Sequence, residues 1–156
     1  MLKLTITIND EEKVFELDYD KHLKVSGEMI DECLMNQASS YSFYAVLAEY
    51  ADDELRRAKH DLELLEAHLD KAVRSAATEK MTETRIRSEI ILTKDWQTLT
   101  RHILDLKLNA GILSGIKRSF EHRKDSVVAL AYKRSKEMDS DIFIGKDQHK
   151  AEIDNQ

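Results

Sequence analysis

Not one of the 156 residues is proline and only four are glycine, so almost nothing in the chain interrupts a helix. A loop-rich catalytic scaffold draws on both residue types for turns and lids, and this chain has little of either. The spacing of the apolar residues then decides where helices run. Tyr41, Tyr44, Ala48, Ala51, Leu55, Ala58, Leu62, Leu65, Leu69, Ala72 and Ala76 recur three and four apart without a break. That is five heptads of an a/d seam, on a helix of about 36 residues and about 54 Å. Ala77-Thr78-Glu79-Lys80-Met81 reads as a turn, and Thr82 as the cap of a helix that continues through the rest of the ordered chain. Along it Leu92, Trp96, Leu99, Ile103, Leu106, Ala110 and Leu113 repeat at four-three spacing. Two such stripes predict an antiparallel helical hairpin.

Ahead of it the pattern has a period of two. Leu2, Leu4, Ile6 and Ile8 form one strand, Asn9-Asp10-Glu11-Glu12 a polar turn, and Phe15, Leu17 and Tyr19 a second strand, a β-hairpin over about residues 2–19. Two strands are marginal in water, so the apolar face must be covered by the helices or by another subunit. Ser26 is placed to cap a short helix with Met29, Ile30, Cys33 and Leu34, and the polar run Asn36-Gln37-Ala38-Ser39-Ser40 loosens the chain before the long helices begin. The fold class is thus mainly α and oligomeric: an N-terminal β-hairpin (1–24), a helical oligomerisation core (25–138) and an acidic, flexible tail (139–156).

Nearly half of the first seam is alanine, which lets helices approach closely but buries little per residue. A partner helix from another copy is therefore expected, with Leu55, Leu62, Leu65, Leu69, Trp96, Leu99, Ile103 and Leu106 at the interface. Gly111 and Gly115, four apart, read as a close helix crossing or a kink.

The net charge is −6, but its distribution is uneven. Residues 1–55 carry 13 acidic and 4 basic side chains, whereas residues 101–136 carry 3 and 9. Lys117, Arg118, Arg123, Lys124, Lys133, Arg134 and Lys136 face only Glu121 and Asp125, making this segment the best anion site in the chain. Repeated around a symmetric assembly, it becomes a continuous positive track for a phosphate backbone.

Enzymatic signals are poor. There is no glycine-rich phosphate loop, and no histidine has a glutamate three residues before it, as a helical di-iron site would want. His60 with Glu63, His102 with Asp105 and His122 with Asp125 are ordinary helix-surface pairs. The lone Cys33 reads as a small buried hydrophobe. The carboxylates of residues 10–20 lack the spacing and glycine of a calcium loop. No cofactor, metal or catalytic residue is expected. One cysteine, no apolar run of signal-peptide length and no membrane-spanning stretch point to the cytoplasm.

An aromatic-started heptad helix ending in a basic pair, a turn, a second long helix with a tryptophan and an Ala/Gly-rich stretch leading into Ile-Lys-Arg follow one another here. In that order, over about residues 43–135, the chain resembles the UvsY-type recombination mediators of bacteriophages. The nearest local likeness is Asn109-Ala110-Gly111-Ile112-Leu113-Ser114-Gly115-Ile116-Lys117-Arg118, followed by Arg123 and Lys124. The resemblance implies a closed homo-oligomeric ring that binds single-stranded DNA without sequence preference. It also implies partners, a RecA-like recombinase and the single-strand-binding protein that the recombinase replaces. The family's basic pair near the end of the first long helix corresponds to Lys71 and Arg74. Asp139-Ser140-Asp141-Ile142-Phe143-Ile144 is similar to the protein-binding tips of single-strand-binding proteins, and reads more simply as a helix-end anchor. The competing reading is a coiled-coil structural or adaptor protein whose basic segment pairs with the acidic N-terminal segment of a neighbouring subunit.

Overall fold

Leu4 and Ile6 alternate with exposed Lys3 and Thr5, and they form the strand that this spacing predicts. Strand β1 (Leu2–Ile8) pairs antiparallel with β2 (Glu11–Leu17), with Leu2 opposite Leu17 and Leu4 opposite Phe15. The computed structural model describes residues 1–8, 11–25 and 27–154, with side chains through 138. Glu11 and Glu12 belong to β2, not to the turn, because their backbones pair with Ile8 and Thr7. Tyr19 opens a short helix, α1 (Tyr19–Leu23), where a strand end was expected. Asn9, Asp10 and the proposed cap Ser26 lie outside the described residues.

A 3-10 turn (Gly27–Met29) leads into α2 (Ile30–Ala76), 47 residues without interruption. The expected loosening at residues 36–40 is absent, since Asn, Gln, Ala and Ser are neutral enough to be carried by a helix whose core face is held. Ile30, Cys33, Gln37, Ser40, Tyr44, Leu47 and Ala51 follow at three and four spacing, so two polar residues stand in for apolar ones on one continuous stripe.

After residues 77–82, helix α3 (Glu83–Leu92) starts at Thr82, whose side chain accepts from the Arg85 amide at 3.4 Å. The second helix is broken where continuity was expected. Thr93 adopts an extended backbone, donates its hydroxyl to the Ile90 carbonyl at 2.7 Å, and accepts from the Trp96 amide at 3.4 Å. One β-branched residue closes α3 and opens α4 (Lys94–Asp154) by satisfying backbone groups of both. Leu92, counted on the second stripe, is left 71% exposed at that junction.

Two compact units result, one of Met1–Asp18 with Phe43–Lys117 and one of Tyr19–Ser42 with Arg118–Gln156. In the first, α2 and α4 run antiparallel: Trp96 Nε1 donates to Glu66 Oε1 at 2.7 Å, and Lys117 Nζ meets Glu49 Oε1 at 3.4 Å. Tyr44, Ala48, Ala51, Leu55 and Ala58 of the first seam are buried, as are Leu106, Ala110 and Leu113 of the second. The hairpin adds Leu4, Ile6 and Leu17, and α3 adds Ile86 and Ile90. Its strands are held to both long helices: Thr7 bonds Glu54, Asn109 Nδ2 donates to the Thr5 carbonyl at 3.5 Å, and Phe15 meets Phe43 edge-on at 6.5 Å. The chain therefore covers its own marginal hairpin.

In the second unit α2 and α4 are again antiparallel, with Gln37 against Phe120 and Asp31 against Arg134. Its buried side chains include Ile30, Cys33, Phe120 and Val127.

Candidate nucleic-acid interface

The two long helices supply all the cations expected at a DNA site, and their local packing sorts them. Lys71 is exposed near the end of α2. One turn later Arg74 is engaged twice: Nε donates to Asp70 Oδ2 at 2.8 Å, and Nη2 reaches both Glu83 oxygens at 2.7 and 2.8 Å. Those hydrogen bonds, first Asp70 and then Glu83, push its pKa further above the ordinary arginine value. The guanidinium clamps the end of α2 to the first turn of α3, where a carboxylate also suits the helix dipole.

On α4, Lys117 is paired with Glu49, whereas Arg118 and Lys124 are exposed. Farther on, Lys133 lies 3.7 Å from Glu137, Arg134 lies 3.9 Å from Asp31, and Lys136 Nζ stands 4.9 Å over the Tyr132 ring. Such exposed pairs contribute little and are easily exchanged for other anions.

Arg123 is the exception. Expected on the positive surface, it is only 8% exposed. Nη1 donates to Gln37 Oε1 and, at 3.4 Å, to the Cys33 carbonyl, and the guanidinium carbon lies 6.0 Å from the centre of the Phe120 ring. Gln37 Nε2 in turn donates to the Phe120 carbonyl at 2.7 Å. The sequence carried the signal: Leu113, Ile116 and Phe120 extend by three and four to Arg123 and Val127, so the stripe shifts register after Leu113 and takes the arginine inside. Gln37, which sequence reasoning passed over as loop, sits at the matching place on α2.

A cavity of about 790 Å³ borders this layer, lined by Lys21, His22 and Lys24 after the hairpin, by Glu28, Glu32 and Cys33 at the start of α2, and by Arg123.

The side chains expected at the oligomer interface divide as well. Leu55 and Leu106 are buried within the protomer. Leu62, Leu65, Leu69, Trp96, Leu99 and Ile103 are half-buried. Gly111 and Gly115 make no close crossing, for a Cβ at either would meet nothing within 4 Å. They continue an exposed face of α4 with Leu104 and Leu108, which are 59% and 63% exposed.

The element order, a two-stranded hairpin ahead of two long antiparallel helices with a short helix between them, can be set against solved structures. The crystal structure of the bacteriophage T4 recombination mediator protein UvsY superposes with a TM-score of 0.64, at 15% sequence identity, covering 77% of this chain and 93% of that one. The fold is that of UvsY. The likeness to UvsY takes in almost the whole of that mediator. No protein-family model and no curated protein sequence matches the chain. Among the described residues no helix is long and apolar enough to cross a membrane.

Proposed function

We propose that the protein is a non-enzymatic recombination mediator. It binds single-stranded DNA, assembles as a homo-oligomeric ring, and helps load a RecA-like recombinase onto DNA covered by single-strand-binding protein. The observation that carries this reading is the UvsY fold over 93% of that mediator's length. The exposed Arg118 and Lys124 on α4, with Lys71 on α2, support it by giving a strand the cations that displace its counterions. Lys117 and Arg74 join by exchanging their carboxylates for phosphates, and Arg123 backs the same helix from within. The open Leu104, Leu108, Gly111 and Gly115 face supports self-association, together with the half-buried Leu62, Leu65, Leu69, Trp96, Leu99 and Ile103. Assembly multiplies a weak patch into avid binding.

Anisotropy of a labelled oligothymidylate tests the reading. Binding is expected at low salt, and each phosphate contact contributes about −0.7 to the slope of log K against log salt. The double variant Arg118→Glu, Lys124→Glu should flatten that slope by about 1.4 and leave the oligomer intact. No binding at low salt overturns the proposal.

One observation bears on a second reading. Lys117 with Glu49 and Arg134 with Asp31 pair the basic segment with the acidic half of the same chain, so these charges serve packing, whereas the adaptor reading expected that pairing between subunits. On the adaptor reading, reversing the paired cations, Lys117→Glu with Arg134→Glu, changes the mass measured by light scattering and not the affinity for DNA.

A further inference from the structure

Among the described residues the buried guanidinium of Arg123 forms no ion pair with a carboxylate. Its hydrogen-bond acceptors, Gln37 Oε1 and the Cys33 carbonyl, are neutral, and Nε is buried without any acceptor among the described residues. A desolvated cation is held by a counter-charge, and among the described residues its direct partners are only dipoles and a ring face. Arg123 lines the 790 Å³ cavity, and the other cationic side chains at its wall, Lys21 and Lys24, are exposed at its rim with His22 between them. Glu28 and Glu32 also line it, but both are exposed and free to turn to water, as the arginine is not.

We propose that this cavity is a phosphate-binding site, in which the Arg123 fork receives one phosphate of a nucleotide and Lys21 and Lys24 close over it. A guanidinium matches two phosphate oxygens, and lysines add charge without demanding geometry. The volume lies within the range of small-ligand sites, roughly 300–1,000 Å³, so a sugar and base have room beside the phosphate. The phosphate comes either from a free nucleotide or from a DNA strand. The site is distinct from the exposed cations of α4 and uses none of them.

Cys33, the only cysteine in the sequence, lines the cavity and reports on its occupancy. The alkylation rate of Cys33 in the full chain is measured at constant ionic strength, with sodium chloride, inorganic phosphate, thymidine monophosphate, oligothymidylate or an oligoglutamate peptide. Thymidine monophosphate at ten times its dissociation constant should slow the reaction about tenfold relative to chloride. Lys21→Gln with Lys24→Gln, both at exposed positions, should abolish the protection. Arg123→Lys, checked for folding by circular dichroism, should weaken it while keeping the charge. Protection by oligothymidylate alone, lost in the lysine variant, keeps the site and makes the strand its source. Three results overturn the assignment: no protection by any phosphate, protection unchanged in the lysine variant, or protection by oligoglutamate only. Oligothymidylate that binds by anisotropy without protecting Cys33 sinks this site and leaves the mediator reading standing. Protection by the mononucleotide without any oligonucleotide binding does the reverse.

Discussion

Gln37 on α2 accepts a hydrogen bond from Arg123 on α4 with one end of its carboxamide and donates to the Phe120 carbonyl with the other, so a single neutral side chain ties two helices in a polar layer. Gln37→Leu keeps the helix and removes both bonds, leaving the buried guanidinium with the Cys33 carbonyl. A loss of about 1–3 kcal/mol is expected, read as a lower urea midpoint at unchanged slope. An unchanged midpoint would show that the layer contributes nothing.

The hairpin depends on Glu54. Its carboxylate takes the Thr7 hydroxyl at 2.6 Å and the Thr7 amide at 3.2 Å, which fastens strand β1 to α2. Glu54→Ala should cost about 1.5–3 kcal/mol, as expected for hydrogen bonds to a charged group. Amide exchange across β1 should quicken before that of α2, because a two-stranded sheet has little stability of its own.

Gly111 and Gly115 offer a test of opposite sign. With open space around both, alanine at either position meets no clash and should stabilise the protomer by up to about 1 kcal/mol through helix propensity. If the open face seats another copy, the same substitutions lower the assembled mass in light scattering although each chain is more stable.

Tyr44 is fully buried, and its pKa is raised, first by loss of water and then by the charge of Asp18. The unfolded phenol ionises near its ordinary value of 10.0 while the folded one stays neutral. Stability from this group is therefore complete below pH 10 and declines as pH rises beyond it. Thermal melts should show an alkaline decline that Tyr44→Phe reduces.

Much of the architecture was written in the spacing. The alternation of Leu2 to Ile8 and the unbroken seam from Tyr41 to Ala58 each point to one face, and packing follows. What escaped has a common cause: polar residues on a core stripe look like loops or surfaces. Gln37 and Ser40 made a continuous helix look interrupted, and Arg123 looked like a surface cation because its neighbours Lys117, Arg118 and Lys124 are. Thr93 hid a helix boundary for a related reason, since a threonine amid good helix formers signals a break only through the carbonyl and amide it satisfies. Of the candidate site, the positive segment was legible; which cations are committed to Glu49, Glu83 or Gln37 depends on residues 68, 9 and 86 positions away.

On the proposed DNA-binding reading, the Arg74 clamp would make the far end of the helical hairpin responsive to polyanions. A phosphate that recruits this guanidinium must evict Asp70 and Glu83, and the two carboxylates then repel one another across the turn between α2 and α3. Ligand capture and loosening of that corner become a single event, so occupancy there would be felt as mobility in α3 without any contact to it.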